Sequence, residues 1–154
     1  NIGLSALKYF ILKVDPKKGM VFNPEESIDF NGNTGPFILF NYVRTTSVLA
    51  KNGSKANLEA ITNVDLSEKE IEIIFKLNEY PKVIKQAAKD YSPAVVANYC
   101  YDLAKDYSQF YAASPILNEE NTAVKEMRLL LSEKLGLVLK NGMQLLGCEM
   151  VNRM

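Results

Sequence analysis

Residues 92–114 read SPAVVANYCYDLAKDYSQFYAAS. Ser92 and Pro93 are a helix start, an N-cap followed by proline in the first turn, where its missing N–H costs nothing. Val96, Tyr99, Leu103, Tyr107 and Phe110 then recur three or four residues apart, the period of one helix face. Ser114-Pro115 ends the pattern. This is a long amphipathic helix, and its neighbours on both sides read the same way.

Toward the C-terminus, Asn118 to Thr122 is polar and cap-rich. Val124, Met127, Leu131, Leu135 and Val138 mark another long helix, which Asn141-Gly142 is expected to close with glycine just past the end. Leu145-Leu146-Gly147 reads as a final turn before the tail Cys148–Met154. Toward the N-terminus, Ser67-Glu68-Lys69-Glu70 is a capping box. Ile71, Ile74 and Phe75 follow it at helical spacing, and Pro81 is expected to kink this helix or to begin a second one running to about Asp90. Further back, Pro36 opens a helix carrying Phe37, Phe40, Arg44 and Val48, stopped by Asn52-Gly53-Ser54. Residues 20–35 are rich in Asn, Pro, Asp and Gly and read as turns, with a short strand around Ser27–Phe30. Leu4, Leu7, Tyr9, Phe10, Ile11 and Val14 form a short apolar helix. The fold class is therefore all-α, a helical bundle with an irregular N-terminal segment. No fixed period of repetition suggests a solenoid.

A length of 154 residues fits one domain, or one domain plus a piece of another, and 47% hydrophobic residues can fill a core. Lys+Arg and Asp+Glu number 18 each, a balance that argues against binding nucleic acid by bulk positive charge. The histidine count is 0, which removes Ser-His-Asp and Cys-His catalysis and His-ligated zinc. Cys100 and Cys148 are too few and too far apart for a disulfide framework, and they sit among apolar residues as small hydrophobes would. No apolar run approaches the ~20 residues of a membrane span, and the start lacks a signal-peptide pattern. A cytoplasmic protein is expected. A first residue Asn1 in place of Met suggests a piece of a longer chain.

No catalytic constellation stands out. The adjacent carboxylates Glu25-Glu26 and Glu119-Glu120 do not face each other on a helix and fit charged turns or helix starts. Gly32-Asn33-Thr34-Gly35 precedes a helix, where anions can bind, but it lacks the lysine and spacing of a phosphate-binding loop. The aromatic residues are more informative. Tyr99, Tyr101, Tyr107 and Tyr111 cannot all face one way, so some must reach a rim where a phenol can stack on an unpaired base.

Whole segments carry a resemblance. Ile2-Gly3-Leu4-Ser5-Ala6-Leu7-Lys8-Tyr9-Phe10 is similar to the GxxALRYF segment that follows the KMSKS loop of arginyl-tRNA synthetases. Thr34-Gly35-Pro36-Phe37, running on to Arg44, resembles their TGPY stretch with its following QY-x-x-x-R-like helix. Tyr101-Asp102-Leu103-Ala104 and Gln109-Phe110-Tyr111 look like the family's Leu-Ala…FY pattern. Val138 to Gly147, closing in Arg153-Met154, is similar to the family's LxNGMxLLG…RM ending. The resemblance covers essentially the whole chain in order.

It implies the C-terminal part of a class I arginine–tRNA ligase: residues 1–35 as the tail of the catalytic side, and residues 36–154 as the helical DALR anticodon-binding domain. The implied partners are tRNA(Arg) and the rest of the synthetase chain, with no membrane and no DNA. ATP and Mg belong to the parent enzyme, and this fragment is expected to hold no cofactor, no metal and no catalytic residue. The HIGH signature needs histidines, and this chain has none. Where the family carries Tyr, Gln and a second Tyr, this sequence has Phe37, Leu39 and Phe40, so stacking is kept while a hydrogen bond is lost. The candidate RNA contacts are Phe37, Phe40, Arg44, Tyr107, Tyr111, Asn141, Arg153 and Met154, with Arg44 open to a phosphate or to a structural ion pair. The alternative is a helical protein–protein interaction bundle without RNA binding.

Overall fold

Asn23, Thr34, Ser67 and Asn121 each hold extended backbone at a helix start and offer a side-chain oxygen to an N–H of the first turn. Those N–H groups have no partner inside the helix, so the caps set where helices begin. A computed structural model describes residues 2–154. Its helices are α1 (Ile2–Leu12), α2 (Pro24–Ser27), α3 (Gly35–Asn52), α4 (Glu68–Asp90), α5 (Pro93–Ala113) and α6 (Thr122–Leu145), with a 3-10 turn at Leu58–Ala60. Among the described residues there is no strand. The fold is all-helical, as the spacing of apolar residues requires.

Helix α5 is the axis of the bundle and packs on α1, α3, α4 and α6. Its Leu103, Ala104, Tyr107 and Phe110 are fully buried, against a core that includes Ile38, Leu129, Leu135 and Leu139. Each such leucine stabilises the fold by about 1.5–3 kcal/mol relative to leaving it in water. Helix α1 joins the same core through Tyr9, whose hydroxyl donates to the Ala97 carbonyl at 2.8 Å. The opposite face of α1 leaves Leu4, Leu7 and Ile11 exposed.

The structure corrects three local expectations and decides a fourth, at Pro81, between its two alternatives. No strand forms around Ser27–Phe30: Asn23 caps Pro24 and the N–H groups of Glu25 and Glu26, winding a one-turn helix that ends at Ser27. Ser92 precedes α5 but makes no side-chain cap bond. It is buried, and its N–H donates instead to the Ala87 carbonyl at 3.0 Å, closing α4 behind Tyr91, which takes φ 50°. Pro81 begins no second helix, because α4 runs through it. The proline is exposed, and rings on α4 and α5 fix the backbone beside it. Tyr80 stacks on Tyr99 at 5.6 Å, and the Tyr99 hydroxyl donates to the Lys76 carbonyl at 2.7 Å.

The last correction concerns α6, which does not stop at Asn141-Gly142. It continues to Leu145 and closes on Gly147, at φ 70°. The Cys148 N–H bonds the Met143 carbonyl at 3.0 Å and the Gly147 N–H bonds the Gln144 carbonyl at 2.9 Å, the paired bonds of a Schellman ending. Gly142 has another task. A Cβ there would lie 2.5 Å from the Cys100 Sγ, so its hydrogen lets α6 close onto α5.

The capping box over Ser67 and Glu70 forms as read, with a twist in its orientation. Glu70 is turned into the protein, 1% exposed, and accepts from the Arg128 Nε at 2.8 Å. Arg128 also donates to Glu119 at 2.8 Å and to the Pro115 carbonyl at 2.7 Å. Drawing Glu70 inward rotates α4, so Ile73 is buried while Ile71 and Phe75 face outward. The same guanidinium holds the 114–121 connection against the bundle.

Candidate functional site

Seven residues separate Phe37 from Arg44, two turns of α3, so Phe37, Phe40, Arg44 and Lys51 follow one side of the helix. That side meets the C-terminal end of α5, where the bundle opens. Phe40 and Tyr111 are each about two-fifths exposed. The Arg44 guanidinium lies between them, 4.4 Å from the Phe40 ring centroid and 4.9 Å from that of Tyr111. A cation over an aromatic face is attracted by the ring quadrupole, about 0.5–1 kcal/mol per contact at a wet surface.

Hydrogen bonds aim the guanidinium further. Arg44 Nη1 donates to Asn41 Oδ1 at 3.4 Å and to Ser108 Oγ at 3.3 Å. The Asn41 amide in turn donates to the Phe37 carbonyl at 3.0 Å. Arg44 is in no ion pair with any described carboxylate, which overturns the structural ion-pair reading. Its charge is held in place without being neutralised. The tail brings Met154 alongside, and Phe40, Val43, Arg44, Ser47, Val48, Lys51, Tyr111, Leu117 and Met154 line a cleft of about 190 Å³.

Four of the eight sequence candidates thus converge: Phe40, Arg44, Tyr111 and Met154. Phe37 is half-buried two turns away from Arg44, tilts onto Tyr101 at 5.5 Å and does not line the cleft. Arg153 is exposed on the tail. Asn141 is exposed on α6, where its Oδ1 accepts from the Tyr80 hydroxyl; it contributes nothing to the cleft lining. Tyr107 is removed from the contact set. It is 0% exposed, its hydroxyl donates to Ser132 Oγ at 3.0 Å, and burial pushes its phenol up to about 12. Its ring lies 6.2 Å behind that of Tyr111 and props it.

Sequence reading passed over Ser47 and Lys51, three and seven residues beyond Arg44, which helical spacing alone would have placed beside it. Leu117 carried no such signal, because a connection places it there. Leu39 is fully buried and packs in the core.

Chemically the cleft offers two aromatic faces, a fixed cation, a flexible lysine and a thioether. Burial pushes the Cys100 thiol up to about 12 and raises that of Cys148, so both stay protonated packing groups. Among the described residues no group of three His, Cys, Asp or Glu could hold a metal, and no helix is long and apolar enough to cross a membrane.

The profile of the DALR anticodon binding domain matches residues 38–154. The arginine–tRNA ligase of Bacteroides thetaiotaomicron is 53% identical over 99% of this chain, which spans 26% of that protein. Among solved structures, Thermus thermophilus arginyl-tRNA synthetase superposes with a TM-score of 0.88 at 28% identity, over 98% of this chain and 26% of its own. The Plasmodium falciparum arginyl-tRNA synthetase gives 0.83 at 29% identity, over 98% and 27%. The chain therefore covers about a quarter of the length of these proteins.

Proposed function

The chain belongs to the DALR anticodon binding domain family, and from that premise we propose that it is the tRNA-reading module of an arginine–tRNA ligase. In this reading it grips the anticodon stem-loop of tRNA(Arg), while the remainder of a longer ligase chain forms arginyl-adenylate with ATP and Mg and loads the tRNA. The observation that carries it is the cleft in which Arg44 is fixed between the exposed rings of Phe40 and Tyr111. Proteins that read RNA sequence work mostly on unpaired loop bases, splayed out and stacked on aromatic side chains or guanidinium planes. An Arg44 that is charged, oriented and free of a carboxylate partner suits a phosphate or the acceptor edge of such a base.

The exposed Leu4, Leu7 and Ile11 of α1, with Val21 and Phe22 beyond it, fit cover by the rest of that longer chain. Residues 1–35 are then the connection to it.

A formal charge of zero means that counterion release adds little affinity. Binding by this module alone is expected to be weak, and tighter when a catalytic body also holds the acceptor arm. Titration with a tRNA(Arg) anticodon stem-loop tests the proposal. Saturable binding at micromolar to millimolar concentration, with preference over an unrelated hairpin, is the expected result. No binding at millimolar concentration, or equal affinity for both hairpins, would overturn it.

A further inference from the structure

We propose that Asn31 is a site of spontaneous deamidation, the one Asn-Gly step that the fold leaves open, and that its isoaspartate product loosens the joint between α1 and α3. Asparagine is a thermolabile residue. It is most so before glycine, which sets no Cβ against the cyclic imide that must form. The sequence holds three such steps, at Asn31, Asn52 and Asn141, and the fold treats them differently.

Asn141 and the buried Gly142 lie inside α6, and Asn141 Oδ1 accepts from the Tyr80 hydroxyl. Asn52 is the last residue of α3, and its Nδ2 donates to the Ser54 carbonyl at 3.1 Å and the Ser54 hydroxyl at 3.2 Å. The Gly53 N–H is held by the Leu49 and Ala50 carbonyls, each at 3.2 Å. Both steps react only after local opening. Asn31 is exposed in the bend before α3. Its own N–H donates to Asp29 Oδ1 at 2.8 Å, but no described residue engages its carboxamide or the Gly32 N–H. The carbon to be attacked and the attacking nitrogen are both free in the folded chain.

The Gly32 nitrogen gives up its proton and attacks Asn31 Cγ, the Cγ–Nδ2 bond breaks, and ammonia leaves with that proton. Water then opens the imide. Breaking the bond from nitrogen to Cγ gives aspartate; breaking the bond to the main-chain carbonyl carbon gives isoaspartate, whose backbone runs through Cβ. Nothing is oxidised or reduced, and water is the co-reactant.

The place of this change gives it a structural effect. The Thr34 hydroxyl donates to the Asp29 carbonyl and accepts the Phe37 N–H at 3.2 Å, so residues 30–33 form a loop tied at its base to the start of α3. Asn33 Nδ2 donates to Asn98 Oδ1 at 3.0 Å, and the Asn33 carbonyl accepts from Lys13 Nζ at 2.9 Å. These bonds seat the loop between the end of α1 and α5. Isoaspartate puts an extra backbone atom inside it, whereas aspartate adds only charge.

The test incubates the 154-residue chain at mildly alkaline pH and follows each Asn-Gly step by peptide mapping and mass spectrometry. Asn31 should convert at least about tenfold faster than Asn52 or Asn141, because closed steps react only from their opened fraction. In urea the three rates should draw together. A Cβ at Gly32 would meet Asp29 Oδ2 at 3.4 Å and Thr34 Cγ2 at 3.6 Å, ordinary contacts. Gly32→Ala should therefore keep the melting temperature and slow conversion at Asn31 severalfold. Aged chain, its isoaspartate counted with an isoaspartate carboxyl methyltransferase, should melt lower than fresh chain, while Asn31→Asp melts with the fresh chain. Equal rates at the three steps in the folded chain, or a lead by Asn52 or Asn141, would overturn the inference. So would an advantage of Asn31 that persists in urea, which would assign it to local sequence and not to the fold. Aged chain that melts with Asn31→Asp would overturn the effect on the joint.

Discussion

Tyr107 and Tyr111 are four residues apart on one helix, and the sequence makes them look equivalent. Their surroundings do not. Tyr107 sits where α5 is covered by α6, with its hydroxyl on Ser132, whereas Tyr111 lies one turn nearer the open end with the Arg44 guanidinium over its ring. Periodicity gives the face of a residue but not how far along the helix its neighbours extend, so the buried and the exposed ring were indistinguishable until α6 was placed. Substitution should separate them. Tyr107→Ala removes a fully buried ring and is expected to cost about 3–5 kcal/mol of stability. Tyr111→Ala should leave the fold nearly intact by thermal melting and cost about 1–3 kcal/mol in hairpin binding, the worth of one base stack. A melting temperature that collapses for Tyr111→Ala would place that ring in the core and remove it from the site.

Helices as elements were legible because their starts are local chemistry: one cap oxygen and one apolar stripe suffice. Their ends and mutual approaches were not. Asn141-Gly142 has the composition of a helix stop, yet Gly142 serves a contact with Cys100, forty-two positions earlier, and sequence spacing cannot report such a pairing. The same holds for α4, whose buried face is set by Arg128 on α6. A double-mutant cycle makes the point measurable. Gly142→Ala should destabilise by about 1–3 kcal/mol through overpacking against the sulfur, despite alanine's better helix propensity of about 1 kcal/mol. In a Cys100→Ala background the sulfur is gone, and the same change should become neutral or stabilising. Equal costs in both backgrounds, measured by denaturant unfolding, would show that the clash is not what excludes a side chain there.

At the scale of the whole molecule, one ionic cluster joins what the helices alone leave loose. Arg128 of α6 bonds Glu70 at the start of α4, Glu119 and the Pro115 carbonyl of the connection beside the cleft. Burial by itself would raise the Glu70 carboxyl, but the Arg128 guanidinium and the Ser67 backbone N–H outweigh it and hold it below the usual carboxylate range. A carboxyl with a depressed folded-state pKa contributes stability that is full above its unfolded value and is lost as pH falls through the folded one. With no histidine in the chain, no imidazole titrates near neutrality to mask this. The melting temperature is therefore expected to decline as pH drops below about 4. Arg128→Met should reverse the sign. Glu70 then stays buried without its cation, a defect of about 3–5 kcal/mol at neutral pH, and burial now favours the protonated acid. The gap in stability between the variant and the unaltered chain should consequently narrow on acidification from pH 7 to pH 5, as the carboxyl takes up a proton instead of remaining a buried anion. A gap that stays constant over that range would mean Glu70 swings out to water when Arg128 is lost. In that case the cluster would hold the Pro115 turn, and with it the Leu117 wall of the cleft, less firmly than its geometry implies.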